Sequence, residues 1–285
     1  HQLVVLARAF VVTGSRHYAK KICDLLEDWL HANPYGRGMN WKSPLEVGIR
    51  LINWVWAIDL IRDDYRIDED LWRRIQETVY YSLWDLRRKF SQGSSANNHL
   101  IGEAAGAFIA SSYFSHLADY RVLVAESREI LEREILKQTY PDGCTREHAF
   151  TYQVFVVQFF TLCEVIARHC GQPFSAEYNA RLRCMYEFLS EISQDTGTVP
   201  ALGDSDDGYV LDLGDRPKDI GPVLSVGAAL FDTPTLRFSG YSETCAWLFG
   251  AESHDGEVRT SSVSSRGFLD SGYFVLRSSR TSGQV

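Results

Sequence analysis

The chain has 285 residues, 45% apolar and 23% charged, which is enough for one large globular domain or two smaller ones. No run of about 18 consecutive apolar residues occurs, so the sequence predicts no membrane span. A net charge of -8 argues against non-specific nucleic-acid binding. It leaves room for an anionic sugar, because local charge in a cleft opposes the global sign. Six cysteines (Cys23, Cys144, Cys163, Cys170, Cys184, Cys245) show no CxxC spacing, and most sit within apolar helical patterns and read as buried free thiols. The opening residues His1 to Ala7 read as mid-helix, without the pattern of a signal peptide, so the true N-terminus is expected to lie outside this chain.

Residues 1–12 carry a helical apolar pattern that ends at Thr13-Gly14-Ser15. A second helix is predicted over 16–32, with Ile22, Leu25, Leu26, Trp29 and Leu30 on one face. Asn33-Pro34-Tyr35-Gly36 breaks it. Ser43-Pro44 reads as N-cap and first helical residue of a helix over 45–61. Asp68 caps the next, over 69–89. Ser94 or Ser95 is expected to cap a helix of small apolar residues running to about Leu117. Further helices are predicted over 120–138, 146–170 and 175–193, with a turn at Tyr140-Pro141-Asp142-Gly143. These are about eight helices in series without a fixed-period repeat, which favours an incomplete α/α toroid of helix hairpins over a solenoid.

After Thr196 the pattern changes. Gly203-Asp204-Ser205-Asp206-Asp207-Gly208 reads as a turn. Residues 221–233 suit one more helix, and Phe268 to Arg277 a β-hairpin. The expected fold is therefore mostly α, with a helical domain over 1–200. Residues 201–285 form a linker and the start of an antiparallel β domain whose remainder lies outside the chain.

Three constellations could carry chemistry. Trp41 precedes a helix on which Glu46, Arg50 and Trp54 share one face, with Asn53 beside them. Polar groups on so apolar a helix must be paired or must line a cavity. For Glu46 the favoured reading is a partly buried pair with Arg50, while Arg50 and Asn53 could reach a cleft. Asn97, Asn98 and His99 fall at the first turn of the next apolar helix, where unsatisfied N–H groups and the helix dipole favour an anion. The plain alternative is a capped helix with a structural histidine. The third stretch runs from Asp142 through Glu147 and His148 to Tyr152. His148 and Tyr152 are placed on one face, and each is more often structural than functional. The Asp204, Asp206, Asp207 spacing lacks the glutamate of a calcium loop and is better explained as a turn. Phosphate-loop, dinucleotide, zinc-protease and nucleophile-elbow motifs are all missing from the sequence.

Taken together, Trp41-x-Ser43-x-Leu45-Glu46-Val47-x-x-Arg50, Ser95-Ala96-Asn97-Asn98-His99, Asp142-Gly143-x-x-x-Glu147-x-x-x-x-Tyr152 and Gly203-Asp204-x-Asp206-Asp207-Gly208 resemble the heparinase II/III-like polysaccharide lyases, relatives of alginate and oligoalginate lyases. The 54-residue interval from Asn98 to Tyr152 also resembles the family's spacing. The resemblance implies a bacterial, periplasmic or secreted enzyme that cleaves a uronic-acid polysaccharide by β-elimination. In that reading Asn98 grips the uronate carboxylate, with His99 beside it. Tyr152 is the acid and, depending on sugar stereochemistry, the base. Trp41, Glu46, Arg50, Asn53, Asn97 and Glu147 hold the sugar. The partner is an anionic polysaccharide or oligosaccharide, and no cofactor is required. Two departures stand out. Gln153 follows the tyrosine where the family often has histidine. The family's histidine-rich, metal-capable segment of the β domain has no counterpart before Val285, where His254 stands alone. The competing readings are an α/α-toroid glycoside hydrolase using Asp204 and Glu147, and a non-catalytic glycan-binding or assembly module.

Overall fold

The computed structural model describes residues 1–115, 118–193, 198–205, 208–215, 219–236, 241–250 and 264–277. Ten α-helices occur among them: α1 Gln2–Thr13, α2 Arg16–Ala32, α3 Pro44–Ile61, α4 Glu69–Lys89, α5 Asn98–Tyr113, α6 Ala118–Gln138, α7 Phe150–His169, α8 Ala176–Ile192, α9 Ile220–Phe231 and α10 Glu243–Phe249. Two strands follow, β1 Arg266–Phe268 and β2 Tyr273–Val275. The fold is mostly α with an antiparallel pair at its end, as the sequence predicts. Asp206, Asp207 and His254 lie outside the described residues.

The chain divides into two compact units. One comprises His1–Arg133, Leu162–Phe174 and Gly208–Pro217, the other Glu134–Thr161, Ser175–Asp207 and Lys218–Val285. In the first unit α3 is the central helix, packed against α1, α4 and α5. Ser43 accepts from Glu46 N at 3.4 Å and Pro44 occupies the first turn, so the start of α3 follows from local chemistry. Eleven of its eighteen residues are buried, among them Leu51, Ile52, Trp54 and Ile58. In α5 thirteen of sixteen are buried.

The contact of α3 with α5 is made by glycines. A Cβ on Gly106 would lie 2.4 Å from Gly48 Cα, and one on Gly48 would lie 2.7 Å from Gly102 O. The two backbones therefore touch, and no larger residue fits between them. The segment after Gly208 also belongs to this unit. Val210 is fully buried, and its carbonyl accepts from Asn53 Nδ2 at 2.9 Å. Arg8 pairs with Asp212 at 3.4 Å.

In the second unit α8 packs on α9, and α9 on α10. Gly227 lies against the Tyr186 ring, where a Cβ would come within 2.5 Å. The hairpin pairs Arg266 with Val275 and Phe268 with Tyr273. Phe188 packs between Phe268, at 4.8 Å, and Phe150, at 5.8 Å between ring centres. Asp142 accepts from both the backbone N (2.8 Å) and the hydroxyl (2.9 Å) of Ser271. Glu191 pairs with Arg277 at 2.7 Å.

Three local expectations need correction. The helix expected from Arg146 begins at Phe150. Buried Gln153 accounts for this: its amide donates to Gly143 O at 2.8 Å and its oxygen accepts from Thr145 N at 2.6 Å, which holds the preceding segment out of the helix. His148, at φ 53°, is left-handed, so it does not share a helix face with Tyr152. The cap of α5 is Asn97, whose side chain accepts from His99 N at 3.0 Å; Gly93–Ser95 forms a separate 3₁₀ turn. Helix α7 is long and apolar enough to cross a membrane, but 72% of that stretch is buried within the protein, as in a core helix.

Replacing Gly106 by Ala tests the close contact. Helix propensity favours alanine by roughly 1 kcal/mol, whereas an intruding methyl against backbone typically costs about 1–3 kcal/mol. The expected outcome is a net loss of stability in urea denaturation; equal or greater stability would show that the helices can move apart.

Candidate functional site

The first unit contains a cleft of about 580 Å³ lined by residues of α1, α2, α3 and the loop between α2 and α3. Glu46, Arg50, Asn53 and Trp54 of α3 face it, across from Trp29 and Asp28 of α2, with Asn33, Met39 and Asn40 from the loop. The sequence constellation on α3 thus does reach a cavity. Trp29 was assigned only to an apolar helix face. No local signal distinguishes a tryptophan that packs in a core from one that walls a cleft.

Arg50 is the chemical centre of this cleft. Its guanidinium carbon lies 4.6 Å from the Trp29 ring centre and 5.5 Å from that of Trp41, a cation against two adjacent indoles. Nη2 donates to Asn40 O at 2.5 Å. Nη1 is buried and has no protein partner. Burial lowers its pKa to about 10, with Glu46 acting in the opposite direction through space. Glu46 itself is exposed, and no ion pair joins it to Arg50, which corrects the pairing expected from their spacing. Trp41 is buried behind the guanidinium, with its indole N–H donating to Asn33 O at 3.3 Å. Asn53 uses its amide N–H groups on Ile49 O and Val210 O, both at 2.9 Å, and its oxygen lies 3.1 Å from His1 Nδ1.

Asn97, Asn98 and His99 stand at the start of α5 in the same unit. Asn97 is the cap, Asn98 is buried and His99 is exposed. The loop before them is held by fully buried Glu103, which accepts from Ser91 N and Ser91 Oγ, each at 2.7 Å. The role of Glu103 was not read from the sequence, since a mid-helix glutamate among alanines carries no sign of a loop partner twelve residues upstream.

Tyr152 and Glu147 belong to the second unit. Tyr152 is half-buried on the first turn of α7, and its hydroxyl donates to Asp204 Oδ2 at 3.4 Å. Glu147 lies in the turn before the helix. His148 has its Nδ1 3.2 Å from the Tyr273 hydroxyl and its Nε2 3.4 Å from that of Tyr140. No group of three or more His, Cys, Asp or Glu residues able to hold a metal ion gathers among the described residues.

This arrangement is a helical scaffold with a cation in an aromatic-walled cleft. Residues 3–212 match the family described as heparinase II/III N-terminus, and the chain belongs to that family. Solved structures share the fold. One is a heparinase III, the BT4657 gene product, with a TM-score of 0.65 and 22% identity over 95% of this chain. Another is a mutant of the heparan sulfate lyase HepC from Pedobacter heparinus, with 0.66 and 20% over 96%. A further heparinase III gives 0.69 and 17% over 96%. This chain spans 43%, 41% and 41% of those three proteins, respectively. No curated protein sequence matches it.

The capping role of Asn97 is separable from any contact it makes with a ligand. Asn97→Ala should cost about 1 kcal/mol of stability, and Asn97→Asp much less, because aspartate keeps the accepting oxygen. Chemical denaturation of both variants measures the difference; equal losses would mean that the cap bond contributes nothing.

Proposed function

We propose that the protein to which this chain belongs is a polysaccharide lyase that cleaves a uronic-acid-containing anionic polysaccharide by β-elimination. Family membership over residues 3–212 carries the reading, since Asn98, His99 and Tyr152 all fall within that span. The Arg50 cleft supports it, offering a cation and indole faces to an anionic sugar. The solved structures named for heparinase III and heparan sulfate lyase make glycosaminoglycans the first substrates to test.

In β-elimination the C5 proton lies α to a carboxylate and is only weakly acidic. Hydrogen-bond donors on that carboxylate stabilise the enolate-like state as charge moves onto it. In this reading Asn98 supplies such a donor, with His99 beside it. Helix α5 sets both through its first turn, and the Glu103–Ser91 contact sets the loop before it. Base removal of the C5 proton forms the C4–C5 double bond, and the C4–oxygen bond breaks as its electrons pass to the leaving oxygen. Tyr152 protonates that oxygen, and for a suitably configured sugar it also accepts the C5 proton. Arg50, Trp41, Glu46, Asn53, Asn97 and Glu147 are assigned to substrate positioning, Trp41 acting through Arg50 and Asn53 through the cleft wall. The hydrolase reading would pair Asp204 with Glu147, and it is less favoured because Asp204 is engaged by the Tyr152 hydroxyl.

The test is incubation of the full-length protein with heparan sulfate, hyaluronan, alginate and pectate while the ultraviolet absorbance of an unsaturated uronate is followed. A lyase produces that absorbance, a hydrolase only new reducing ends, and a binding module neither. Tyr152→Phe should lower turnover by ~10²–10⁴-fold with KM little changed. Wild-type turnover in that variant would remove Tyr152 from the chemistry. Arg50→Gln should instead raise KM for anionic oligosaccharides.

A further inference from the structure

The Gly203-Asp204 turn is fastened to the start of α7 at several points. Leu202 O accepts from Phe150 N at 3.2 Å, and Asp204 O accepts from Thr151 Oγ1 at 3.0 Å. Gly203 adopts φ +76° and packs so tightly that a Cβ would lie 2.5 Å from His148 O and 2.6 Å from Ala149 Cα. Glycine is required at 203 on both counts. The consequence falls on the next residue. Asp204 Oδ1 accepts from Ser205 N at 2.9 Å, which leaves Oδ2 facing the Tyr152 hydroxyl at 3.4 Å.

We infer that Asp204 is the positioning residue of Tyr152: it aims the phenolic O–H and holds the proton on it between turnovers. The inference rests on the proposed role of Tyr152. A carboxylate accepts a hydrogen bond from a phenol but repels a phenolate, so it favours the protonated form. At 3.4 Å the bond is long. Other ionisable groups near it in the chain are Glu147 and His148, in the turn before α7. The imidazole of His148 is already flanked by the Tyr273 and Tyr140 hydroxyls.

The experiment compares Asp204→Asn, Asp204→Glu and Tyr152→Phe in the full-length protein, with circular dichroism confirming that each is folded. Asparagine keeps the size but loses the charge and can present its amide N–H groups to the phenol. Asp204→Asn should lower kcat by about ten- to a hundredfold, as expected when a reacting group is misaimed, with KM nearly unchanged. Asp204→Glu should recover part of the loss. NMR of ring-labelled tyrosine, with the Tyr152 signal identified by its loss in Tyr152→Phe, gives a readout that needs no substrate. In Asp204→Asn the Tyr152 phenol should ionise at lower pH than in the unmodified protein. An unmoved Tyr152 titration overturns the inference, whether or not a substrate has been found. Full kcat in Asp204→Asn alongside a dead Tyr152→Phe overturns it while leaving Tyr152 catalytic. Full activity in Tyr152→Phe overturns the reading on which it rests.

Discussion

The backbone contact between α3 and α5 is the constraint on which the first unit depends. Gly48 faces Gly102 and Gly106 with no room for a methyl group. Close approach gives each helix many more short contacts than bulky residues would, and dispersion accumulates with every such contact. It also fixes the rotation of both helices. With Gly48 turned toward α5, Arg50 and Asn53 are carried to the cleft wall. With Gly102 and Gly106 turned toward α3, the cap Asn97 and the first-turn residues Asn98 and His99 stand at the mouth of a helix that is otherwise buried.

The polar groups in this apolar setting follow one rule: each is given a partner or left at a cavity. Glu103 is satisfied by Ser91, Gln153 by Gly143 and Thr145, and Asn53 by Ile49 and Val210. Each of these tethers a loop, at the helix dipole end or at the edge of the cleft, and so converts a buried polar cost into positional accuracy. Arg50 Nη1 is one exception, and Trp56 Nε1 and Thr145 Oγ1 are others among the described residues. Removing a guanidinium from water while leaving a donor unmatched is unfavourable. The two neighbouring indole rings offset part of that. The second unit works in the same way around α7, where Gln153 and the docked Gly203-Asp204 turn define its first residue and the surroundings of Tyr152.

Much of this was legible in the sequence. The helices α1 to α4 and α8 end within a residue or two of their expected bounds, because their stop and start chemistry is local: Gly14, Pro44, Asp68 and Ser175 act within one turn. The family was legible as well, since the motifs that carry the resemblance are short and ordered along the chain. Errors fell where one nearby side chain outbid the preference of its neighbours. The segment 146–149 has helical character by itself, but Gln153 claims its neighbours' backbone groups. Ser94 and Ser95 are good caps, but the 3₁₀ turn leaves Asn97 next to the first N–H groups.

The sequence by itself determined the helical class, the late hairpin and the candidate residues, since periodicity and capping are encoded within a few residues of each position. Only the tertiary structure decided which of those residues share a cavity. Trp29 and Arg50 meet at a separation of twenty-one in residue number, and Tyr152 and Asp204 at fifty-two. Such pairs are set by how helices rotate and turns dock, here constrained by close-packed glycines at 48, 102, 106 and 203 whose only local signature is the lack of a side chain.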